Sequence, residues 1–523
     1  MATNLQTAAT TIVSVNPATG TVLRELECAS ETEVRDAVSR AHTAQAAWNG
    51  LGVRKRIAVL REFQHRLQAQ SPEIAEAITR EAGKPVAEAL TTEVLVVLDA
   101  ARFLIENAWH LLRDEPVPHG NLAMKLKRGR LLREPYGVIG IISPWNYPFS
   151  IPATEALAAL VAGNAVVLKP SELTPLVALE LARLLHESGV PRDVFQVLVG
   201  EGTAGAALMR APIDKLVFTG SVATGKRIAA AAAERLLPVV LELGGKDPML
   251  VLDDADVDVA SSAAVWGAFV NAGQTCLSVE RCYVHRSLYE AFLQACAEKT
   301  EKLRVGRGED LDTDVGPMIH ERQLRVVEAH VEDAKARGAR VLAGGSWMRE
   351  LGGKFYAPTV LADVTQEMRI MREETFGPVL PVAAFDDDDD AVRLANDSEY
   401  GLAASIFTRD NARGERLARR IQAGTVMVND VVSCFGISEA PHGGVKSSGV
   451  GRTHGRFGLE EMVRLKYVDS DRTPAMKKVW WYGYGMNFSK QMEGFLDMQF
   501  AHRFSERIRG ALRAAGVLFR KRL

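Results

Sequence analysis

Cysteine is scarce: Cys28, Cys276, Cys282, Cys296 and Cys434 are the only five among 523 residues. They form no Cys-x-x-Cys pair and are joined by no pattern of histidines, which argues against a disulfide framework or a structural zinc site and fits a reducing cytosol. No apolar run approaches the roughly 20 residues that a membrane helix needs. The start, Met1 to Thr11, has neither a basic n-region nor an apolar h-region, so no secretory signal is expected and the chain reads as cytoplasmic. Neither sign of charge dominates, with 63 basic and 65 acidic residues and a net charge of −2. No overall field therefore gathers nucleic acid or acidic lipid, and a charged partner has to be met locally. Repeats at solenoid spacing are also missing. The composition, 47% hydrophobic and 24% charged, is that of an ordinary globular protein. Its length exceeds what one core serves, which predicts two large lobes with a smaller appendage.

What is present alternates. Asn16 to Gly20 reads as a turn between two short strands. Apolar residues three or four apart, such as Ile57, Leu60, Phe63 and Leu67, predict helices over 31–49, 54–81 and 84–112. The basic alternation from Lys125 to Arg130 predicts a hairpin; nothing aromatic interleaves it, which favours an exposed strand pair over a nucleic-acid surface. From Gly137, apolar runs at 138–142, 165–168, 195–198 and 215–218 alternate with predicted helices at 154–162, 177–188, 203–209 and 224–235. Such a pattern describes a parallel sheet covered on both faces, the kind that dinucleotides favour. The alternation continues less regularly from Pro238 to about Phe435. Asp386 to Asp390 precedes a helical pattern, where carboxylates complement the helix dipole; five in a row point in too many directions to be a good metal site. A glycine-rich loop over 443–455 closes this half.

Five stretches carry chemistry. Gly273-Gln274-Thr275-Cys276 places a thiol after a small-residue turn with free backbone N–H groups, although most cysteines so placed are buried spectators. Leu241-Glu242-Leu243-Gly244-Gly245-Lys246 sets one carboxylate among apolar neighbours at a strand end, where burial raises its pKa toward that of a general base; an ordinary strand-end glutamate is the plainer reading. Pro144-Trp145-Asn146-Tyr147-Pro148 is a stiff loop that can aim an amide at developing negative charge, or simply turn a corner. Lys169-Pro170-Ser171-Glu172 offers a cation and a carboxylate to ribose hydroxyls. Phe218 to Gly225 is a strand-to-helix turn whose N–H groups suit a pyrophosphate, yet it lacks the G-x-G-x-x-G fingerprint.

In order and spacing these stretches, with Glu374-Thr375-Phe376-Gly377-Pro378, resemble the aldehyde dehydrogenase superfamily from about Asn16 to Tyr467. The resemblance implies an α/β fold: a Rossmann-like parallel-sheet cofactor domain (1–120 and 138–243), an α/β catalytic domain (244–443) and a small β oligomerisation element (121–137 and 444–470). Residues 471–523 then form an aromatic and basic amphipathic extension. Cys276 matches the nucleophile, Glu242 the general base and Asn146 the side-chain half of the oxyanion hole, completed by the Cys276 N–H. Lys169 and Glu172 match the adenosine-ribose contacts, Gly220 and Ser221 the phosphate turn, and Glu374 and Phe376 the nicotinamide-riboside contacts, while Trp145 lines the cofactor path. Ile142, Pro144, Gly202, Thr224 and Leu243 complete the implied cofactor site. No metal is implied, and Lys246 has no assigned role.

The implied reaction is NAD(P)-dependent oxidation of an aldehyde to its acid through a cysteine thiohemiacetal and a thioester that water hydrolyses. Two alternatives stand beside it. Relatives that pass the acyl group to coenzyme A are expected to lack the Glu242 base, and a non-catalytic protein retaining the fold would not need Cys276, Glu242 and Asn146 together. NAD is favoured over NADP because Glu172 would repel a 2′-phosphate. Semialdehydes, aliphatic and aromatic aldehydes all remain open as substrates, with 432–438 and the residues flanking Cys276 expected to line the tunnel. By resemblance the chain is a homodimer or homotetramer assembled through 121–134 and a strand at 463–468. The extension opens with Trp480-Trp481-Tyr482-Gly483-Tyr484 and continues as a predicted helix with Phe500, Phe504, Ile508, Ala511, Ala515 and Leu518 on one stripe. Packing on the partner subunit or over the substrate entrance is its favoured role, and peripheral contact with an anionic membrane the alternative.

Overall fold

Runs of Val, Ile and Leu with no polar alternation have to be buried on both faces, and helices on either side of a parallel sheet do this. The computed structural model describes residues 11–516 and shows that arrangement twice. Leu518 and Arg520 to Arg522 of the extension, and the N-terminal stretch to Thr10, lie outside the described residues. Among the described residues, 11–112 and 135–464 form the larger of two units, and 113–134 and 465–516 the smaller.

In the larger unit a six-stranded sheet runs in the order Gly449–Val450, Val239–Glu242, Lys215–Thr219, Val138–Ile142, Ala165–Lys169, Phe195–Val197, and only the first of these is antiparallel to its neighbour. The chain moves outward from Val138–Ile142 to Phe195–Val197, then returns to lay Lys215–Thr219 on the other side of Val138–Ile142. That reversal opens a crevice at the carboxyl ends of these two strands. A seven-stranded sheet runs Arg340–Ala343, Thr359–Ala362, Val379–Phe385, Val279–His285, Asp247–Val251, Ala403–Phe407, Thr425–Val428, with Arg340–Ala343 alone antiparallel to its neighbour. Each sheet has its own apolar core.

Several elements differ from the sequence reading. The predicted helix over 54–81 is two, Val53–Ala69 and Ser71–Ala82, because Pro72 cannot continue the first and fits the opening turn of the second. The predicted helix over 84–112 contains a π-helical stretch, Ala89–Val94, before Leu95–Leu112. The helix predicted from Thr154 begins at Ser150, with Pro152 tolerated in its first turn. Asp387 caps the helix Asp388–Asn396, its carboxylate accepting from Asp390 N at 2.8 Å.

In the smaller unit the predicted hairpin at Lys125 to Arg130 is instead a single strand, Lys127–Pro135. It lies between Glu115–Val117 and Val463–Asp471 in a three-stranded sheet, so its partners come from elsewhere in the chain. The same unit ends in two helices, Met486–Phe500 and Phe504–Ala514.

Candidate active site

The helix Val257–Phe269 runs into a tight turn, Val270–Gly273, in which Asn271 and Ala272 both take φ of 54°. A left-handed conformation in such residues persists only where surrounding contacts over-determine it. They do so here: Asn271 N donates to Glu88 Oε2 at 3.0 Å, Asn271 Nδ2 to Asn146 O at 2.9 Å, and Ile319 N to Gln274 Oε1 at 2.9 Å. Gly273 is required as well, since a Cβ there would stand 2.1 Å from Gly377 O. The turn therefore delivers Cys276 on a rigid base, with the thiol half-buried.

Asn146 approaches from the loop after Val138–Ile142, and its Nδ2 donates to Gln274 O at 3.1 Å. An amide carries two N–H groups, so one remains for an oxygen near the turn. Its backbone is held by residues with no counterpart in the sequence reading. Lys84 Nζ donates to Asn146 O at 2.8 Å and to Glu93 Oε1 at 2.6 Å, while Phe149 N and Ser150 N donate to Glu93 Oε2 at 2.9 and 2.8 Å. Lys84 and Glu93 are fully buried, and removing one partner of such a pair costs about 3–5 kcal/mol. Nothing local marks Lys84, because its partners lie elsewhere in the chain.

Glu242 ends its strand with both carboxylate oxygens buried and without a hydrogen-bond partner among the described residues. Burial pushes its pKa well up, and the nearby Glu155 carboxylate pushes it further. A cavity of about 20 Å³ is lined by Glu242, Cys276 and Leu243, together with Glu155, Thr219, Ile151, Leu402, Phe435, His442 and His454. Such a volume holds about one water. His442 and His454 are driven by burial to pKa values of about 3 and about 4, so both are neutral imidazoles, and Glu155 is pushed by burial to about 8. Phe435 packs edge-on against both rings, at 5.1 Å from His442 and 4.5 Å from His454. Sequence reasoning passed over Glu155 and the two histidines; the glycine-rich loop that carries His454 was the available signal.

The Cys276 thiol is itself pushed well above its ordinary range, first by burial and then by Asp247, Glu374 and Glu242. Leu277, Leu402, Ala403 and Cys434 form the apolar cluster beside it, with Met427, Val432 and Phe435 packed against that cluster. Cys282 and Cys296 are core residues, with thiols also raised by burial.

Many of the residues read as a cofactor site lie at strand ends, helix starts and the loops beside them. Lys169 ends a strand with its ammonium 3.2 Å from Glu172 Oε2. Gly220 N donates to Glu242 O at 3.0 Å, and Ser221 caps the helix Val222–Ala233, accepting from Thr224 N at 3.4 Å. Leu243 packs under that helix, where a Cβ on Gly225 would meet it at 2.5 Å. Gly202 opens the helix Gly202–Arg210 with free space where a Cβ would be, and Ile142 reaches Gly205 of that helix. Trp145, one residue beyond Pro144, stands edge-on to Phe376 at 5.4 Å. Glu374 Oε1 accepts from Gly245 N at 3.0 Å, and burial pushes its carboxyl to about 8. The loop carrying Glu374 and Phe376 is clamped by Glu280, which accepts from Thr375 N and Phe376 N at 2.8 Å each and pairs with the buried ammonium of Lys246. Lys246 is thus a structural cation. A buried cation at a strand end, an open helix start and a carboxylate beside a glycine pair are groups that could hold a ribose, a pyrophosphate and a nicotinamide riboside.

A sequence profile described as the aldehyde dehydrogenase family matches residues 5–468. The chain belongs to that family. It is 40% identical to the 4,4'-diapolycopene aldehyde oxidase of a Methylomonas species, over 93% of this chain and 91% of that protein. It is 38% identical to the mitochondrial succinate-semialdehyde dehydrogenase of Oryza sativa, over 88% of this chain and 86% of that protein. An aldehyde dehydrogenase from Bacillus cereus, solved as its NAD+ complex, superposes with a TM-score of 0.85 at 35% identity, covering 88% of this chain and 93% of that one. This aldehyde dehydrogenase is accordingly an NAD(P)-dependent oxidoreductase of aldehydes, built on parallel-sheet α/β domains.

Proposed function

We propose that the protein oxidises uncharged, apolar aldehydes to carboxylic acids by covalent catalysis at Cys276 with hydrolytic release. The observation that carries this reading is the shared cavity, in which the Glu242 carboxylate and Cys276 line a space sized for one water. Cys276 Sγ adds to the aldehyde carbon, and the oxygen that becomes negative is met by the second N–H of Asn146 and the Cys276 N–H. Lys84 and Glu93 keep the Asn146 backbone from drifting during that step. Lys169, Glu172, Gly220, Ser221, Glu374 and Phe376 would hold NAD or NADP, and the bound nicotinamide would supply the hydride acceptor that takes the thiohemiacetal to the thioester. Glu242 then removes a proton from the water that opens the thioester, and burial, by raising its pKa, makes its carboxylate a stronger base for that task. A coenzyme A thiol has no comparable claim on a cavity of this size.

The substrate class follows from charge. Cys276 lies among Leu277, Leu402, Val432, Cys434 and Phe435, with Glu242, Asp247 and Glu374 near enough to raise its pKa. A second carboxylate on the substrate, brought close to Cys276, would meet those acids. A kinetic panel tests it: kcat/KM for a medium-chain aliphatic or an aromatic aldehyde is expected to exceed that for succinic semialdehyde by at least about tenfold. Run with both cofactors, the panel is expected to favour NAD through repulsion of a 2′-phosphate by Glu172. Equal or better use of succinic semialdehyde overturns the substrate assignment, and a clear NADP preference overturns the placement of Glu172.

A further inference from the structure

The two terminal helices, Met486–Phe500 and Phe504–Ala514, are joined by a three-residue link and cross antiparallel at Gly494 and Gly510. A Cβ on Gly494 would stand 2.8 Å from Gly510 O, and one on Gly510 would stand 2.4 Å from Met498 N. So close a crossing leaves no room for large side chains between the backbones. The stripe read from the sequence is accordingly divided. Ala511 and Ala515, with Met492, Phe495 and Met498, line a groove inside the smaller unit, whereas Phe504 and Ile508 are 77% and 48% exposed, as is Leu512, outside that stripe, at 74%. Leu496 and Phe500 on the first helix are 54% and 64% exposed. Five large apolar side chains on one short helix pair form more exposed apolar surface than isolated residues account for.

Charge identifies what this surface suits. Residues 472–523 hold 11 Lys and Arg against 3 Asp and Glu, in a chain whose net charge is −2. Arg503, Arg507, Arg509 and Arg513 lie on or beside the second helix, interleaved with Phe504, Ile508 and Leu512. Two of these arginines also stabilise the hairpin, Arg507 Nε donating to Ala501 O at 2.7 Å and Arg513 pairing with Asp497. A second copy of the same face would set arginines against arginines, so self-association through it is opposed. An anionic lipid surface accepts both features, the apolar residues entering the headgroup boundary and the arginines meeting phosphates. Among the described residues no helix is long and apolar enough to cross a membrane. The geometry is that of an element lying on a bilayer.

We propose that this helix pair is a peripheral docking surface for anionic phospholipid bilayers, seated through Phe504, Ile508 and Leu512 and their neighbouring arginines. The inference is independent of the substrate reading. It is tested with the full chain mixed with vesicles of phosphatidylcholine alone or of phosphatidylcholine with phosphatidylglycerol, followed by flotation. Binding is expected only to the anionic vesicles, falling severalfold between about 0.1 M and about 0.5 M salt as screening shortens the reach of the arginines. The double substitution Ile508→Asp, Leu512→Asp is expected to weaken binding at least about tenfold, with dehydrogenase turnover and sedimentation unchanged because both side chains are exposed. Arg503→Gln with Arg509→Gln is the second variant, and removes charge without altering the apolar stripe. Equal flotation with neutral vesicles, no flotation at all, or full binding by both double variants overturns the proposal. Loss of an oligomer in the Asp variant without any vesicle binding in the parent also overturns it, and assigns the face to contact between copies.

Discussion

Cys276 stands among Asp247, Glu374 and Glu242, and each carboxylate opposes the thiolate that addition requires. Glu242 is likewise held toward its protonated form by burial and by Glu155. Both groups act only after losing a proton, and both have pKa values raised above their ordinary ranges, so activity is gained as pH rises and lost as it falls. With saturating cofactor, kcat/KM is expected to climb through neutrality and to go on climbing into the alkaline range, by up to about tenfold per unit where a single proton limits. A profile already flat near neutrality would mean that the thiolate is formed in advance, against this electrostatic account. At this scale the sequence is legible where chemistry sits in contiguous motifs: Asn146, Glu242 and Cys276 each lie in a short stretch whose residue types announce a purpose. Lys84, Glu93 and Glu280 are illegible for the opposite reason. Their partners are Asn146 O, Phe149 N, Thr375 N and Phe376 N, brought near only by the fold.

The strands that position the site are short buried runs, and such runs announce themselves through unbroken apolar character. Val138–Ile142 coincides with its predicted segment, and Lys215–Thr219 runs one residue past its own. Helix boundaries are harder, because periodicity continues through Gln70 while Pro72 forces a new start, and because a π-helical stretch keeps nearly the same apolar spacing as the α-helix around it. Basic alternation at Lys125 to Arg130 is compatible with a hairpin of its own or with one strand of a wider sheet; it belongs to the central strand, paired antiparallel with Glu115–Val117 before it and with the distant Val463–Asp471. That partner is itself an edge, with Leu465, Tyr467 and Val468 exposed. An exposed edge strand presents unpaired backbone groups, a template for pairing with another chain. Sedimentation at micromolar concentration is accordingly expected to show a dimer or larger assembly, and a stable monomer would contradict the role given to this edge.

At the scale of the whole molecule, the family match ends at residue 468, and the solved Bacillus cereus relative covers 88% of the chain. The catalytic proposal therefore rests on the larger unit, where the Cys276 thiol and the Glu242 carboxylate line one water-sized space and Asn146 is tied to the turn before Cys276, and the extension is left for another task. The central claim is that Cys276 carries the acyl group and Glu242 releases it to water. The most direct measurement uses Glu242→Gln, mixed with NAD and a medium-chain aldehyde, quenched during the first turnover and mapped by peptide mass spectrometry. The expected result is a burst of reduced cofactor, an acyl group accumulating on the Cys276 peptide toward one per subunit, steady turnover reduced on the order of a hundredfold or more, and no adduct when Cys276→Ala is added. Acylation at Cys282, Cys296 or Cys434 instead, or full steady turnover by the Glu242→Gln enzyme, would contradict it.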